Sequence, residues 1–457
     1  MTGTTENVPT TSTVEQGDSP ELWATLRRPL PSWYAEARFG IFIHWGPYSV
    51  PAWAEPSGAL GVVPEDVWFT HNAYAEWYFN TIRIPGSPAA QHHAEVHGGA
   101  PYDDFLDAWT AADFDPTDWA KLFATAGAEY VVPTSKHHDG VTLWDAPGTG
   151  ARNTVHRGPR RDLLADIADA VRAEGLRFGV YYSGGLDWSV TRFGPHTSSA
   201  EVHELRPTDA AYNGYAFRHV ADLVRRYSPS VLWNDIEWPD AGKRGGPESL
   251  HALFEGYYAA VPDGVVNDRW GETHHDFGTS EYEYHLDAES SGPWENCRAI
   301  GFSFGYNQAE DETQSLDGRG IAKHLTDVVS RGGRLLLDVG PTAEGTIPGV
   351  QRRALEGMGR WMAAAAPLLR TSSPVGADVA RRSDDPWVRW LATPGHLVAV
   401  VDGAGTVALD AAADAVDVRD VQVLNGSGEV SADGGRLSAT VTPSADGPAL
   451  LVLPVRA

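Results

Sequence analysis

Eight short apolar runs recur along the first three quarters of the chain, and helical patterns separate several of them. The runs are Phe39–Trp45, Tyr130–Ser135, Phe178–Ser183, Val231–Asp235, Val265–Arg269, Glu281–Tyr284, Phe302–Tyr306 and Leu335–Gly340. Unbroken apolar residues indicate strands buried on both faces, as in a parallel sheet covered by helices. Amphipathic helices are predicted at Thr117–Gly127, Asp162–Gly175, Tyr215–Tyr227 and Gly320–Arg331. This alternation over roughly 300 residues favours an α/β fold, a (β/α)8-like (TIM) barrel, over a doubly wound sheet.

The pattern changes after residue 368. Short Val-rich runs, broken by Gly, Asp and Ser, occur at Trp387–Leu391, Leu397–Val401, Thr406–Leu409, Val416–Val423, Arg436–Val441 and Ala449–Val455. Such runs are typical of a small antiparallel β-sandwich. We therefore expect a disordered N-terminal tail at 1–20, a barrel at 21–368 and a C-terminal β-sandwich at 369–457.

The formal net charge is −26, from 35 Lys and Arg against 61 Asp and Glu. Binding to nucleic acid or to an anionic membrane is disfavoured, because both need a positive surface. Cys297 is the only cysteine, so the chain forms no internal disulfide and needs no oxidising compartment. No signal peptide and no apolar stretch of about 18 residues is recognisable, which predicts a cytoplasmic protein. A homo-oligomer is one of the assemblies that the sequence allows.

Polar side chains gather where the predicted strands end. Asn234 and Asp235 close the fourth run, and His137-His138-Asp139 follows the second. A single Asp at such a place is often a helix or turn cap. Several polar groups at one rim of a barrel indicate an active site instead. Carboxylates, imidazoles, an Arg and indoles suit a neutral polyol, with two carboxylates acting on an acetal.

Clustered histidines raise the alternative of a metal site. The candidates are His92, His93, His97, His137, His138, His274 and His275. Adjacent residues of an extended segment point in opposite directions, so a His-His pair is expected to deliver one ligand rather than two. The chain also lacks a His-Glu-x-x-His helix. We therefore predict no metal and no cofactor, treat a serine nucleophile as a weaker alternative, and interpret His92, His93 and His97 as a solvated loop or lid.

Five motifs occur in order between Trp33 and Trp361. They are Arg38-Phe39-Gly40-Ile41-Phe42-Ile43-His44-Trp45-Gly46, Ser135-Lys136-His137-His138-Asp139-Gly140, Trp233-Asn234-Asp235, Asn267-Asp268-Arg269-Trp270-Gly271 and the run from Leu335 through Val339-Gly340-Pro341 to Pro348. Together they resemble the signatures of α-L-fucosidases of glycoside hydrolase family 29. The resemblance implies a (β/α)8-like barrel with a C-terminal β-sandwich, and a retaining double-displacement mechanism that hydrolyses terminal α-L-fucosides.

In that family the Asp of the Trp-Asn-Asp motif is the nucleophile, which corresponds to Asp235. The resemblance implies that Glu281 is the acid/base, because it stands in a Thr-small-Glu-Tyr segment shortly after the Asn-Asp-Arg-Trp-Gly motif. Glu283 is the competing assignment, since residues two apart on a strand share a face. A fucosylated glycan or glycoside is the implied partner.

The resemblance also implies which side chains bind the sugar. They are His44, Glu76, Trp77, His137, His138, Tyr182, Trp233, Arg269 and Phe304. Family members often have Trp where this chain has Phe304, which affects the aglycone preference. The polar segment 86–107 is expected to shape access to the pocket. Two alternatives stay open: a non-catalytic fucose-binding protein on a glycosidase scaffold, and a retaining glycosidase for a related sugar such as an α-L-galactoside.

Overall fold

The computed structural model describes residues 20–282 and 292–456. Parallel strand segments form the central sheet of the chain. The segments are β1 (Phe39–Ile43), β2 (Tyr130–Lys136), β3 (Arg177–Phe178), β4 (Val180–Ser183), β5 (Val231–Asp235), β6 (Val265–Val266), β7 (Gly278–Glu281), β8 (Trp294–Ala299) and β9 (Arg334–Val339). Since β3 and β4 continue each other across Gly179, the sheet has eight strands.

The strand order is β6-β5-β4-β2-β1-β9-β8-β7, with β3 beside β2. β1 pairs in parallel with both β2 and β9, so the strands that come first and last in the sequence of this sheet are neighbours. Within the described ranges no backbone hydrogen-bond pairing joins β6 to β7. An eight-stranded parallel sheet that curls back on its own first strand confirms the predicted (β/α)8-like barrel.

The helices of residues 20–370 precede or follow the strands, and the longer ones share a buried apolar cluster with the sheet. They are α1 (Pro20–Ala24), α2 (Ser32–Glu36), α3 (Glu65–Trp68), α4 (Tyr78–Thr81), α5 (Pro88–His97), α6 (Asp103–Ala108), α7 (Pro116–Thr125), α8 (Leu163–Ala173), α9 (Ser199–Glu204), α10 (Ala210–Tyr227), α11 (Leu250–Ala260), α12 (Gly318–Ser330) and α13 (Gly349–Arg370), with 3-10 turns at Pro47–Ser49, Ala75–Trp77 and Asp240–Lys243. Asp162 begins α8 by accepting from the Ala165 backbone N–H, and Gly175 follows the helix with φ +76°. These are the usual start and stop signals of a helix.

Alternation along each strand separates an inner core from an outer one. Val231 and Trp233 of β5 belong to a buried cluster inside the sheet, whereas Leu232 packs in the layer between sheet and helices. Because every second residue of a strand shares a face, Asp235 points the same way as Trp233. The sheet thereby directs the end of β5 towards the barrel axis.

The fifth predicted strand is shorter than expected, since β6 covers only Val265–Val266, and the sandwich run expected at Val416–Val423 is observed as β14 at Gln422–Leu424. Two further predicted strands of the barrel differ in position. The sixth was expected at Glu281–Tyr284, but β7 ends at Glu281; Glu283 and Tyr284 lie outside the described residues. The seventh was expected at Phe302–Tyr306, but the strand is β8, and residues 302–306 form the loop after it. The apolar criterion missed β8 because the sequence of its six buried residues, WENCRA, is half polar.

The region after Arg370 consists of two antiparallel sheets. Its strands are β10 (Ser383–Asp384), β11 (Trp387–Thr393), β12 (His396–Asp402), β13 (Gly405–Leu409), β14 (Gln422–Leu424), β15 (Gly426–Asp433), β16 (Arg436–Pro443) and β17 (Ala449–Pro454). The order is β10-β11-β12-β17-β14 in one sheet and β13-β16-β15 in the other. Side chains of both sheets share one buried apolar cluster, which confirms the predicted sandwich. β10 and β15 were not predicted; β10 has only two residues, and the side chains of β15 are mostly exposed.

The predicted domain boundaries stay a proposal. α13 runs to Arg370, two residues beyond the proposed end of the barrel, and most of the proposed tail lies outside the described residues. None of the helices in the described ranges has the length and apolar character needed to cross a membrane.

Candidate active site

One guanidinium group joins two carboxylates at the carboxyl-terminal rim of the barrel. Arg269 Nη1 donates to Asp235 Oδ1 at 3.0 Å, and Arg269 Nη2 donates to Glu281 Oε2 at 3.1 Å. Asp235 ends β5 and Glu281 ends β7, so the sheet brings both to the same rim. The guanidinium carbon lies 4.7 Å from the centre of the Trp233 ring. Four of the predicted site residues therefore form one cluster.

Asp235 is held as an anion. Its Oδ2 accepts from the Tyr181 hydroxyl at 2.9 Å and lies 3.7 Å from His138 Nε2, while its Oδ1 accepts from the Ile236 backbone N–H at 3.0 Å. Burial raises the pKa of Asp235, but the charge of Arg269 and these hydrogen bonds outweigh it, so the pKa falls below its ordinary value. Asp235 is ionised at neutral pH, as an attacking carboxylate must be.

Glu281 lies between a tyrosine and the same arginine. Its Oε1 accepts from the Tyr74 hydroxyl at 2.8 Å, and its Oε2 faces Arg269. The Glu281 side chain is 19% exposed and the Asp235 side chain 12%, so both reach the surface of the pocket. Glu283, the competing acid/base, lies outside the described residues, and the choice between the two glutamates stays a prediction.

His137 and His138 both face the pocket. Their ring centres lie 4.1 Å apart; His138 approaches Asp235, and the His137 ring stacks on Tyr181 with centres 5.5 Å apart. The expectation that adjacent histidines diverge is wrong here, because β2 ends at Lys136 and strand alternation ends with it. Burial lowers the pKa of His138 to about 3 and that of His137 well below its ordinary value, so both imidazoles are neutral.

His44 forms a buried pair with Asp338. Nδ1 of His44 and Oδ1 of Asp338 lie 2.6 Å apart. Burial lowers the pKa of His44 to about 3, and burial together with the charge of Glu76 raises the pKa of Asp338. This short contact fixes the orientation of the His44 ring.

Glu76 joins the first βα loop to the loop after β8. Its Oε2 accepts from the Gly305 backbone N–H at 2.7 Å and from the Ser303 hydroxyl at 3.3 Å. Burial outweighs these bonds and raises the pKa of Glu76 to about 8. The same loop carries Phe304, whose ring centre lies 5.1 Å from that of His44. Residues 301–305 have the Gly-x-Ser-x-Gly spacing of a serine elbow, but the hydroxyl of Ser303 is engaged by Glu76 and the Gly305 carbonyl.

Two indoles border the site. The Trp77 ring centre lies 5.3 Å from that of His138. Trp233 stacks on Tyr181, and its Nε1 donates to Glu295 Oε1 at 2.9 Å. Trp77 therefore lies next to His138, and Trp233 lies next to Arg269, which contacts both carboxylates.

Tyr182 is not brought to the site. Its hydroxyl is 3.1 Å from Nδ1 of His219 on α10, so it packs outside the sheet rather than beside Asp235. The inward residue is Tyr181, which pairs with Trp233 across the sheet and binds Asp235. Strand alternation, counted from the partner strand, would have identified Tyr181.

Other side chains that contact the site residues were not predicted, because no sequence pattern marks them. Tyr74 contacts Glu281 from the first βα loop, 207 positions away in sequence. Glu295 lies on the strand that the apolar criterion overlooked, and it also accepts from the Tyr34 hydroxyl at 3.0 Å. Asp338 lies within a predicted strand, and the sequence pattern does not show whether a carboxylate there faces the site. Only the tertiary structure reveals these contacts.

The histidines outside the pocket have other surroundings. His92, His93 and His97 lie on α5 rather than in a loop, and Nδ1 of His93 is 3.0 Å from the Tyr78 hydroxyl. Nε2 of His274 is 2.8 Å from the Tyr258 hydroxyl. Across residues 20–282 and 292–456, no three His, Cys, Asp or Glu side chains are grouped as metal ligands would be.

The chain is similar to α-L-fucosidases over most of its length. The family model described as Alpha-L-fucosidase matches residues 8–366. The α-L-fucosidase of Dictyostelium discoideum is 35% identical over 76% of this chain and 73% of its own, and the human tissue α-L-fucosidase is 31% identical over 80% and 74%. The crystal structure of Thermotoga maritima α-fucosidase in complex with fucose is 40% identical, covers 94% of this chain and 99% of its own, and superposes with a TM-score of 0.82. The chain belongs to the α-L-fucosidase family of glycoside hydrolases.

Proposed function

We propose that the chain is an exo-acting retaining α-L-fucosidase that works through a covalent fucosyl-enzyme intermediate. The observation that carries the proposal is the pair of carboxylates, Asp235 and Glu281, held by Arg269 at the strand ends. Membership of the family implies a fucosylated glycoside as substrate. The likeness to a relative crystallised with fucose supports the same sugar.

In the first step, the ionised Asp235 attacks the anomeric carbon of the fucose. The bond from that carbon to the leaving oxygen breaks, and Glu281, which must be in its protonated form for this step, gives its proton to that oxygen. The products are a fucosyl ester on Asp235 and a free alcohol. A retaining enzyme needs carboxyl groups about 5–5.5 Å apart, and one guanidinium that contacts both supports a separation of this order.

In the second step, water attacks the same carbon. Glu281, now a carboxylate, removes a proton from the water, and the ester bond to Asp235 breaks. Arg269 stabilises the negative charge that returns to Asp235. Two inversions at one carbon restore the original configuration of the sugar.

The surrounding side chains suit a neutral sugar. The uncharged imidazoles of His44, His137 and His138 offer donors and acceptors to hydroxyl groups. We assign further sugar contacts to Glu76, Trp77, Trp233, Arg269 and Phe304. The rings of Phe304 and Tyr74, whose centres are 5.4 Å apart, offer an apolar niche for the methyl group of fucose.

Partners, cellular location and oligomeric state are further proposals. The net charge of −26 supports the absence of nucleic-acid and anionic-membrane partners. The cytoplasmic location rests on the lone Cys297, which is buried as a free thiol. Homo-oligomerisation stays a prediction.

The test measures release of an aryl group from α-L-fucoside, α-L-galactoside and β-D-galactoside, for the native enzyme and Asp235→Ala. We expect the highest kcat/KM on the fucoside and a loss in kcat of about 10⁴-fold or more in the variant, without a retained product on addition of azide. A native protein that binds fucose but releases no aryl group would support the non-catalytic alternative. Preference for the α-L-galactoside would reassign the sugar, and an active Asp235→Ala enzyme would refute the nucleophile.

A further inference from the structure

The backbone directly after Asp235 adopts an unfavourable conformation. Ile236 has φ +57° and Glu237 has φ +74°. Non-glycine residues are uncommon in this left-handed region, and a β-branched residue there is an outlier, because its Cβ crowds the backbone. Such a conformation persists only where its surroundings hold it, and it often marks a functional site.

Backbone contacts hold this turn on both sides. The Asn234 side-chain amide donates to the carbonyls of Glu237 at 2.8 Å and Arg269 at 2.7 Å, and the Glu237 N–H donates to the Arg269 carbonyl at 3.1 Å. On the other side, the Gly185 N–H donates to the Asp235 carbonyl at 3.2 Å. A Cβ at Gly185 would lie 1.7 Å from the Ile236 carbonyl oxygen, so the approach requires glycine.

The Glu237 side chain adds an ionic anchor. Its Oε2 lies 2.7 Å from Arg206 Nη2 and 3.2 Å from Lys243 Nζ. The side chains of Glu237, Arg206 and Lys243 are 10%, 3% and 13% exposed. Since water screens buried pairs poorly, these contacts constrain Glu237 more than a surface ion pair would.

The turn has a direct consequence for Asp235. It points the Ile236 N–H back at Asp235 Oδ1, at 3.0 Å, on the same oxygen that receives Arg269 Nη1. We propose that Glu237 is a positioning residue for the reaction: its ion pairs with Arg206 and Lys243 hold the left-handed turn that orients the Asp235 carboxylate. The inference rests on the proposed function, in which Asp235 is the attacking group.

Glu237→Ala tests the anchor, and Asp240→Asn is a matched control. Asp240 lies 2.7 Å from the same Arg206 nitrogen and 3.0 Å from Lys243 Nζ, but outside the turn, and its side chain is 42% exposed. In Glu237→Ala we expect kcat to fall about 10- to 100-fold, because misorientation of a reacting group costs this order. KM should change less than about twofold, since Glu237 is not among the sugar contacts. Asp240→Asn should keep kcat within about twofold of the native value.

Glu237→Gln is the conservative variant: it tests whether the shape of the side chain restores part of kcat, and it replaces Glu237→Ala if that variant does not fold. The amide keeps the shape and a hydrogen bond to Arg206 but loses the charge, so kcat should lie between the native and Glu237→Ala values. Near-native kcat in Glu237→Ala would overturn the proposal, as would an equal loss in Asp240→Asn or a rise in KM at constant kcat. If Glu237→Ala does not fold, near-native kcat in Glu237→Gln would also overturn it. A native enzyme inactive on aryl fucosides would refute the proposed function instead.

Discussion

The interior of the barrel and the core of the C-terminal sandwich are both largely buried, but different side chains fill them. Inside the barrel, Glu295 accepts hydrogen bonds from Tyr34, Tyr130 and Trp233. In the described residues beyond Arg370, the buried polar side chains are Ser372 and Arg389. The sandwich core consists of Val, Leu, Ala and Trp from both sheets.

Burying a charge or an unpaired polar group costs free energy that apolar packing avoids. The barrel accepts this cost around Asp235, Glu281, Glu76 and Asp338, whereas in the described residues after Arg370 the buried charged side chain is Arg389, which pairs with Asp327 and Asp384. The difference teaches that the barrel interior serves chemistry and the sandwich core serves stability. Substitutions in the two regions should therefore change different quantities.

Among the substitutions that compare the two regions, Glu281→Ala has the largest expected effect. Loss of the acid should lower kcat/KM about 10²- to 10⁴-fold on alkyl fucosides, whose leaving oxygen needs a proton. Aryl fucosides with strongly electron-withdrawing substituents should lose far less, because their leaving groups depart as anions. The measurement is kcat/KM across a series of leaving groups.

The same series decides between the two glutamates. A loss in Glu281→Ala that is uniform across leaving groups would contradict its role as acid. If Glu283→Ala shows the leaving-group dependence instead, the roles are exchanged. Native enzyme and Glu281→Gln provide the references, since the amide keeps the shape but donates no acidic proton.

The fold was predictable where burial and polarity agree. β5 was predicted at its observed bounds, because three apolar residues precede the polar pair Asn234-Asp235. β8 was missed because its buried Glu295, Asn296 and Arg298 have polar partners inside the protein rather than water. A hydropathy pattern detects contact with apolar groups, and it does not detect buried polar groups that are satisfied by each other.

The sequence indicated the position of the site where polar residues end or follow a strand, as Asp235 ends β5 and Arg269 follows β6. The sequence did not show that Tyr181 rather than Tyr182 faces Asp235, because the choice between adjacent tyrosines depends on register with the neighbouring strand. Prediction failed for the direction of His137 and His138, because the strand ends one residue earlier. Register and strand ends are set by tertiary packing, which single-sequence patterns do not contain.

Leu451→Ala should show the opposite behaviour from Glu281→Ala. Leu451 is fully buried in the sandwich core, so its truncation should lower the free energy of unfolding by about 2–5 kcal/mol. Well below the unfolding transition, kcat and KM should stay native. Val455→Ala, at a 46% exposed position of the same region, is the matched control and should change stability by less than about 0.5 kcal/mol. A folded Leu451→Ala enzyme with reduced kcat would show that the sandwich core also serves the site.

The smallest effect in this comparison is the pH-dependent loss of stability that the burial of Glu76 causes. Its pKa is raised from an ordinary 4.5 to about 8 by burial. Below pH 4.5 Glu76 carries its proton in both the folded and the unfolded chain, so its ionisation does not change the free energy of unfolding. Between pH 4.5 and 8 the unfolded chain ionises while the folded one keeps its proton, so the stability contributed by the protonated form is lost as the pH rises.

Glu76→Gln removes this titration. Relative to the native enzyme, the variant should therefore gain stability between pH 5 and pH 8, by about 1–3 kcal/mol. Denaturant unfolding at both pH values measures the change, and Glu312→Gln, at a 74% exposed glutamate, is the control. An unchanged difference between Glu76→Gln and the native enzyme would mean that the bonds from Gly305 and Ser303 compensate for burial and keep Glu76 ionised. In that case the acidic groups of the barrel would be stabilised by their partners, and the contrast with the sandwich would lie in hydrogen bonding rather than in a cost of burial.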